Sequence, residues 1–228
     1  MAKLLQLKDI TKVYGEKVKN QVLFDINLDF EESSFNSIIG TSGSGKSTLM
    51  NIIGTLDTQT SGEVIIDGTN TSSMNKDELA ILRNETIGFI FQFHHLLPEF
   101  TLRENVLMPY RIMHNKVTKE ALELADELIE TVGLSKVKNN KATDLSGGQQ
   151  QRAAIARSLI NRPKIILGDE PTGNLDSETT KIVFDLLKKI NDDFKSTFIL
   201  ITHDQKVAQL ADRIIELKDG KVDMDIMN

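Results

Sequence analysis

Near the N terminus apolar and polar positions alternate, and further along the chain unbroken apolar runs take turns with stripes at helical spacing. The alternating stretches are Leu4 to Ile10, which carries Leu5 and Leu7, and Val22 to Phe30, which carries Leu23, Ile26, Leu28 and Phe30. Successive strand side chains point to opposite faces, so this pattern predicts antiparallel strands with one wet face. Tyr14 falls in the turn between them, either as a partly exposed strand-end residue or as a flat ring on which a purine could stack. Ser61 to Gly68 predicts a strand closed by a glycine turn, and Thr86 to Phe91 a short strand ending at Gln92.

Ile165 to Leu167 and Phe198 to Ile201 contain no polar interruption, the pattern of strands buried on both faces of a parallel sheet. Between them Ile182, Val183, Leu186, Leu187 and Ile190 form a helical stripe opposite Lys181, Asp185, Lys188 and Lys189. Strand, helix, strand in that order predicts an α/β core. Elsewhere Thr118 predicts a helix cap, followed by Leu122, Ala125, Leu128, Ile129 and Val132 before Gly133, and a second helix runs from Ser146 to Asn161 with Pro163 beyond it. No strand-like run interrupts residues 93–161, which read as a helical insertion in a core formed by residues 1–92 and 162–228.

Composition narrows the function. At 228 residues the chain is one large domain or two small ones, long enough to bury about 70–75% of its unfolded surface. Without cysteine it has neither a disulfide framework nor a thiolate metal site, which points to a reducing cytoplasm; its four histidines are too scattered for a metal cluster. A net charge of −6 argues against nucleic acid as a partner. No apolar stretch approaches the ~20 residues that span a bilayer, and the N terminus does not read as a signal peptide, so a membrane role has to come through a partner.

The chemistry centres on Gly40-Thr41-Ser42-Gly43-Ser44-Gly45-Lys46-Ser47, which fits the phosphate-loop pattern at every fixed position. It follows the apolar run Phe35 to Ile39 and leads into the helix begun by Thr48-Leu49-Met50. Glycines let backbone N–H groups turn toward phosphate oxygens, the helix start adds partial positive charge, and Lys46 supplies a mobile cation. The Ser47 hydroxyl would ligate Mg²⁺. Downstream, Asp169 and Glu170 stand at the carboxyl end of a buried strand, where ligands of open α/β sheets sit. Asp169 fits the metal-side acid, and Glu170 the general base or orienter of a water attacking the γ-phosphate. A parallel strand would bring His203 to the same edge.

Leu145-Ser146-Gly147-Gly148-Gln149 adds a second capped helix start, another anion site that one ATP does not need from one chain. This motif resembles the signature of the ATP-binding-cassette (ABC) ATPases, and the resemblance runs through the whole chain. Tyr14 matches the adenine-stacking position, Gly40 to Thr48 the phosphate loop and helix start, Gln92 the glutamine loop, and Ser146 to Gln149 the signature. Asp169 and Glu170 match the metal-binding aspartate and catalytic glutamate, Asn174-Leu175-Asp176 the loop that spans the dimer, and His203 the switch histidine.

The resemblance implies a RecA-like phosphate-loop core with an antiparallel β subdomain and an inserted helical subdomain. It implies a head-to-tail homodimer holding two ATP molecules with Mg²⁺, each between one subunit's phosphate loop and the other's Ser146, Gly147 and Gly148. Gln92 would contribute to catalysis and to the metal. ATP hydrolysis would drive a membrane permease docked near Gln92 and Phe93–Phe100, with the chain peripheral on the cytoplasmic face. The segments Phe91–Thr101 and Asp169–Asp176 are similar to the lipoprotein-release (LolD) and macrolide-export (MacB) branch, whose fragments are shared with antimicrobial-peptide exporters and the cell-division relative. Gly168 departs from the family, which carries a larger apolar residue before the aspartate. A soluble ABC protein of DNA repair or translation, or a small-molecule kinase, remain the competing readings. Repair members have a long coiled coil and translation members two cassettes, neither present here, and a kinase leaves the signature unexplained.

Overall fold

The computed structural model describes residues 3–173 and 175–228. In chain order the elements are β1 (Lys3–Tyr14), β2 (Asn20–Glu31), β3 (Phe35–Ile39), α1 (Lys46–Ile53), β4 (Ser61–Ile66), β5 (Thr69–Asn70), α2 (Lys76–Thr86), β6 (Ile87–Phe91), α3 (Leu102–Met113) and α4 (Lys119–Thr131). They continue with α5 (Gly147–Leu159), β7 (Ile165–Asp169), α6 (Ser177–Phe194), β8 (Thr197–Ile201), α7 (Gln205–Ala208), β9 (Arg213–Lys218) and β10 (Lys221–Met227).

The inward side of β1 passes from Leu5 and Leu7 to Ile10 and Lys12, and that of β2 from Leu23 to Ile26. This change of parity requires an extra residue in each strand. It sits at Asp9 and Asp25, with φ of 51° and 49°, a region that aspartate tolerates better than most residues. The bulges are tied by Asn27 Nδ2 donating to Asp9 Oδ1 (2.9 Å) and Thr11 Oγ1 donating to Asp25 Oδ1 (3.1 Å). Pairing therefore continues as far as Tyr14 opposite Asn20, which makes Tyr14 the last residue of β1 and not a turn residue. The antiparallel sheet has the order β2-β1-β4-β5.

The other sheet has the order β10-β9-β3-β8-β7-β6, with β3, β6, β7, β8 and β9 parallel and β10 antiparallel at the edge. Its unbroken apolar runs are buried on both faces. Phe198, Leu200 and Ile166 pack into the core beneath α3–α6, where Phe35 stacks on Phe198 at 5.1 Å between ring centroids. Ile199, Ile201, Ile165 and Leu167 point the other way and join α1 and the inner faces of β1 and β2. Helix α2, which periodicity did not reveal, buries no residue fully; an Asn75–Glu78 capping box starts it. Between β6 and β7 the chain makes helices α3, α4 and α5.

Register decides where the chemistry lies. Ile38 pairs with Ile201, and Asp169 pairs with both Ile201 and Phe91, so β3, β6, β7 and β8 all end at one edge of the sheet. The residues that follow those ends are Gly40, Gln92, Glu170 and Thr202-His203.

Candidate active site

Between β3 and α1 the glycine loop is held by strands far away in sequence. A side chain at Gly40 (φ 149°) would place its Cβ 2.2 Å from the Leu217 carbonyl of β9, and one at Gly45 (φ 102°) 2.7 Å from the Leu23 side chain of β2. Both positions therefore exclude a Cβ on contact as well as on backbone conformation. Gly220 N donates to Ser44 O (3.1 Å) and Phe24 N to Gly220 O (2.9 Å), clamping the loop to the β9–β10 turn. Sequence reading missed that clamp, although Asp219-Gly220 is a turn signal. Lys46 Nζ donates to the Gly40 and Thr41 carbonyls (2.9 and 2.8 Å) and lies 3.4 Å from Ser44 Oγ.

A cleft of about 450 Å³ opens over this loop, lined among others by Gly40, Ser42, Gly43, Gly45, Lys46, Ser47, Thr48, Asp169, Glu170 and His203. Glu170 adopts φ 45°, its N–H donates to Ile201 O (2.9 Å), and its carboxylate Oε1 lies 2.9 Å from His203 Nδ1. Burial, then the neighbouring charge of Glu170, push the Asp169 carboxyl above the usual carboxylate range, and Lys46 opposes them. A Cβ on Gly173 would meet Gln92 Nε2 at 2.9 Å and Glu170 Oε2 at 3.1 Å, so the side chains of Gln92 and Glu170 converge over that glycine. At Gly168 a Cβ would be 2.5 Å from Leu200 Cδ2, so Leu200 occupies the space beside that glycine.

The signature residues stand apart. None of Ser146, Gly147, Gly148 or Gln149 lines the cleft. Ser146 caps α5 through a reciprocal box, with Ser146 N donating to Gln149 Oε1 (2.9 Å) and Gln149 N to Ser146 Oγ (3.4 Å). Gln150 Nε2 pins the preceding turn by donating to the Ala142 and Leu145 carbonyls (3.0 and 3.1 Å). Two other α5 side chains hold the loop after Gln92. Arg157 donates to the His94 and His95 carbonyls (both 2.6 Å), and buried Gln151 Oε1 meets His94 Nδ1. Asn174 lies outside the described residues; its neighbour Leu175 packs against the helical core.

Tyr14 is 40% exposed at the end of β1, with its hydroxyl donated to Asp57 Oδ2 (2.7 Å). It does not line the phosphate cleft. Asp57 follows α1, and its N–H donates to Asn51 O (3.1 Å) on that helix.

Strand, glycine loop and helix, with two carboxylates at the end of β7, the parallel strand next but one in the sheet, define a phosphate-loop nucleotide hydrolase. The chain belongs to the ABC transporter family, whose pattern matches residues 23–173, and it is an ATP-binding, ATP-hydrolysing subunit of an ABC transporter. It is 46% identical to the lipoprotein-releasing system ATP-binding protein LolD 1 of Rhodopseudomonas palustris over 97% of this chain and 99% of that protein. It is 42% identical to LolD of Francisella tularensis over 97% and 96%. Among solved structures, the dimeric ATP-binding cassette MJ0796 bound to ADP and Pi superposes with a TM-score of 0.89 at 44% identity, covering 98% of both chains. CbiO1 of Clostridium perfringens superposes with a TM-score of 0.88 at 25% identity, covering 98% of this chain and 88% of that one.

Proposed function

We propose that two copies of this chain close head to tail around two ATP molecules, and that hydrolysis lets them part to drive a membrane permease of the lipoprotein-release type. The observation that carries this is the separation of the chain's two anion-binding helix starts. The phosphate loop faces a cleft that Ser146, Gly147 and Gly148 do not line, while a Cβ on Gly147 would meet nothing within 4 Å among the described residues. A second subunit supplies the nucleotide that this open helix start accepts. The solved cassette MJ0796 is described as dimeric, with ADP and Pi bound in one of its structures.

Within each half-site Lys46 leaves its carbonyl partners to contact the β- and γ-phosphates, and the loop N–H groups and the start of α1 surround them. Glu170 orients the attacking water and takes its proton, with His203 placed against the Glu170 carboxylate. Ser47, Asp169 and Gln92 would hold Mg²⁺ through their side-chain oxygens. The fit is good: an Asp169 carboxyl destabilised by burial and by Glu170 gains from a hard cation. Bound there, Mg²⁺ neutralises charge developing on the transferred phosphoryl group.

Phe93 is 68% exposed, and with the half-exposed Leu97 it marks the permease contact near Gln92. An adjoining groove of about 500 Å³ between α2, β6, α3 and α5, lined by Ile81, Phe91, Pro109 and Ile112, extends that apolar surface. Among the described residues no helix is long and apolar enough to cross a membrane, so the proposed place at the cytoplasmic face depends on this contact. Affinity purification of the tagged chain from detergent-solubilised membranes tests it. Recovery of an integral membrane protein that is lost in Phe93→Asp is expected, and a chain that comes down alone from membranes would sink the permease reading.

A further inference from the structure

On β1, two residues before the exposed Tyr14, a lysine is buried. Lys12 is 8% exposed, and its Nζ donates to Asp57 Oδ1 and to the Thr58 carbonyl, both at 2.6 Å. The same ammonium lies 4.6 Å from the centroid of the Tyr14 ring. Asp57 thus closes a triangle, accepting from Lys12 with one oxygen and from the Tyr14 hydroxyl with the other, at 2.7 Å. Burial acts to raise the Asp57 carboxyl, but the hydrogen bonds from Lys12, Tyr14 and Thr58 N outweigh it and hold the group below the usual carboxylate range. Lysine is almost never buried unless it is paired, and here the pairing with Asp57 fixes the ammonium against the Tyr14 ring.

We infer that Lys12 is a positioning residue for the nucleotide, backing the inner face of Tyr14 so that the outer face is presented, rigid and electron-poor, to the purine base. This rests on Tyr14 being the ring that stacks on adenine. A cation on one face of an aromatic ring is attracted by its π density and draws that density away from the other face. The outer face is then a better partner for an electron-rich purine, and the hydroxyl bond to Asp57 stops the ring from swinging. The Asp57 and Leu56 N–H groups donate to Asn51 O (3.1 and 2.8 Å), and Asn51 is on α1, the helix whose start holds the phosphates. One helix therefore fixes the span between the base platform and the phosphate cradle.

The test is calorimetric titration of the full chain with MgATP and with magnesium tripolyphosphate, which shares the phosphates and lacks the base. Tyr14→Ala is expected to weaken ATP binding and leave tripolyphosphate unchanged. Lys12→Met is expected to weaken ATP about five- to twentyfold with tripolyphosphate unchanged, Lys12→Arg to retain most of the affinity, and Lys12→Met added to Tyr14→Ala to cost nothing further. Because Lys12→Met leaves the Asp57 carboxylate without its cation, the neutral pair Lys12→Met with Asp57→Asn is measured alongside, and the same base-selective loss is expected there. An equal loss for both ligands, the same loss in the Tyr14→Ala background, or a neutral pair that binds ATP normally would overturn the role of Lys12. If Tyr14→Ala itself leaves the ratio of the two affinities unchanged, the stacking reading falls first and takes this inference with it.

Discussion

The two anion-binding helix starts of this chain are built in opposite ways. The phosphate loop is moulded by distant strands: Leu217 of β9 and Leu23 of β2 exclude side chains at Gly40 and Gly45, and the β9–β10 turn bonds to Ser44. Around Ser146 the start of α5 is built chiefly from near neighbours, a capping box and Gln150 reaching back to the turn before it, with Thr179 of α6 a distant side chain close to Gly148. The first is finished by folding and needs only nucleotide. The second has the capping groups of Ser146 and Gln149 paired with each other and turns Gly147 to open space, the construction of a surface prepared for something outside the chain.

If that contrast is right, substitutions in the two regions separate binding from turnover. The largest effect is expected for Glu170→Gln, which should keep ATP binding, lower turnover by roughly 10²–10⁴-fold and accumulate an ATP-bound dimer on size-exclusion chromatography. Near-normal hydrolysis would remove Glu170 as the base. Lys46→Ala loses a charge-assisted contact worth ~1.5–3 kcal/mol, so ATP affinity should fall about ten- to a hundredfold in titration calorimetry. Ser146→Arg should leave the affinity of the monomer for ATP intact and depress steady-state hydrolysis about tenfold or more, because its bulk stands where the partner's phosphate enters; unimpaired hydrolysis would contradict the dimer.

Asp169→Asn sharpens the contrast from the stability side. A carboxyl whose folded-state pKa is raised opposes folding once ionised; that cost is fully present above the raised value and fades as pH falls through it. The amide should therefore melt higher than the parent at neutral pH in the absence of nucleotide, converge with it toward acid pH, and bind MgATP more weakly. The smallest effect is expected for Gln149→Ala. It removes half of a capping box and should cost about 0.5–1 kcal/mol in chemical denaturation, with ATP affinity unchanged.

Much of this molecule could be read from the chain. The glycine loop, the carboxylates after a buried strand and the serine cap before two glycines are short motifs whose chemistry depends on neighbours in sequence. The parity change from Leu7 to Ile10 was visible as well, and it is what puts Lys12 on the inner face, yet alternation alone predicted strands without their bulges. Helix α2 was illegible because it buries no residue fully and so carries no strong apolar stripe.

The sequence by itself determined the class of protein and the identity of the reactive groups, because each motif is a short run in which residue types at fixed spacing specify the chemistry. Only the tertiary structure decided that the Glu170 carboxylate meets His203 and converges with Gln92 over Gly173, that Leu200 fills the space left at Gly168, and that Lys12 lies behind Tyr14. Those relations are set by strand register and by packing between segments far apart in the chain, and no spacing along the sequence encodes a distance across a sheet.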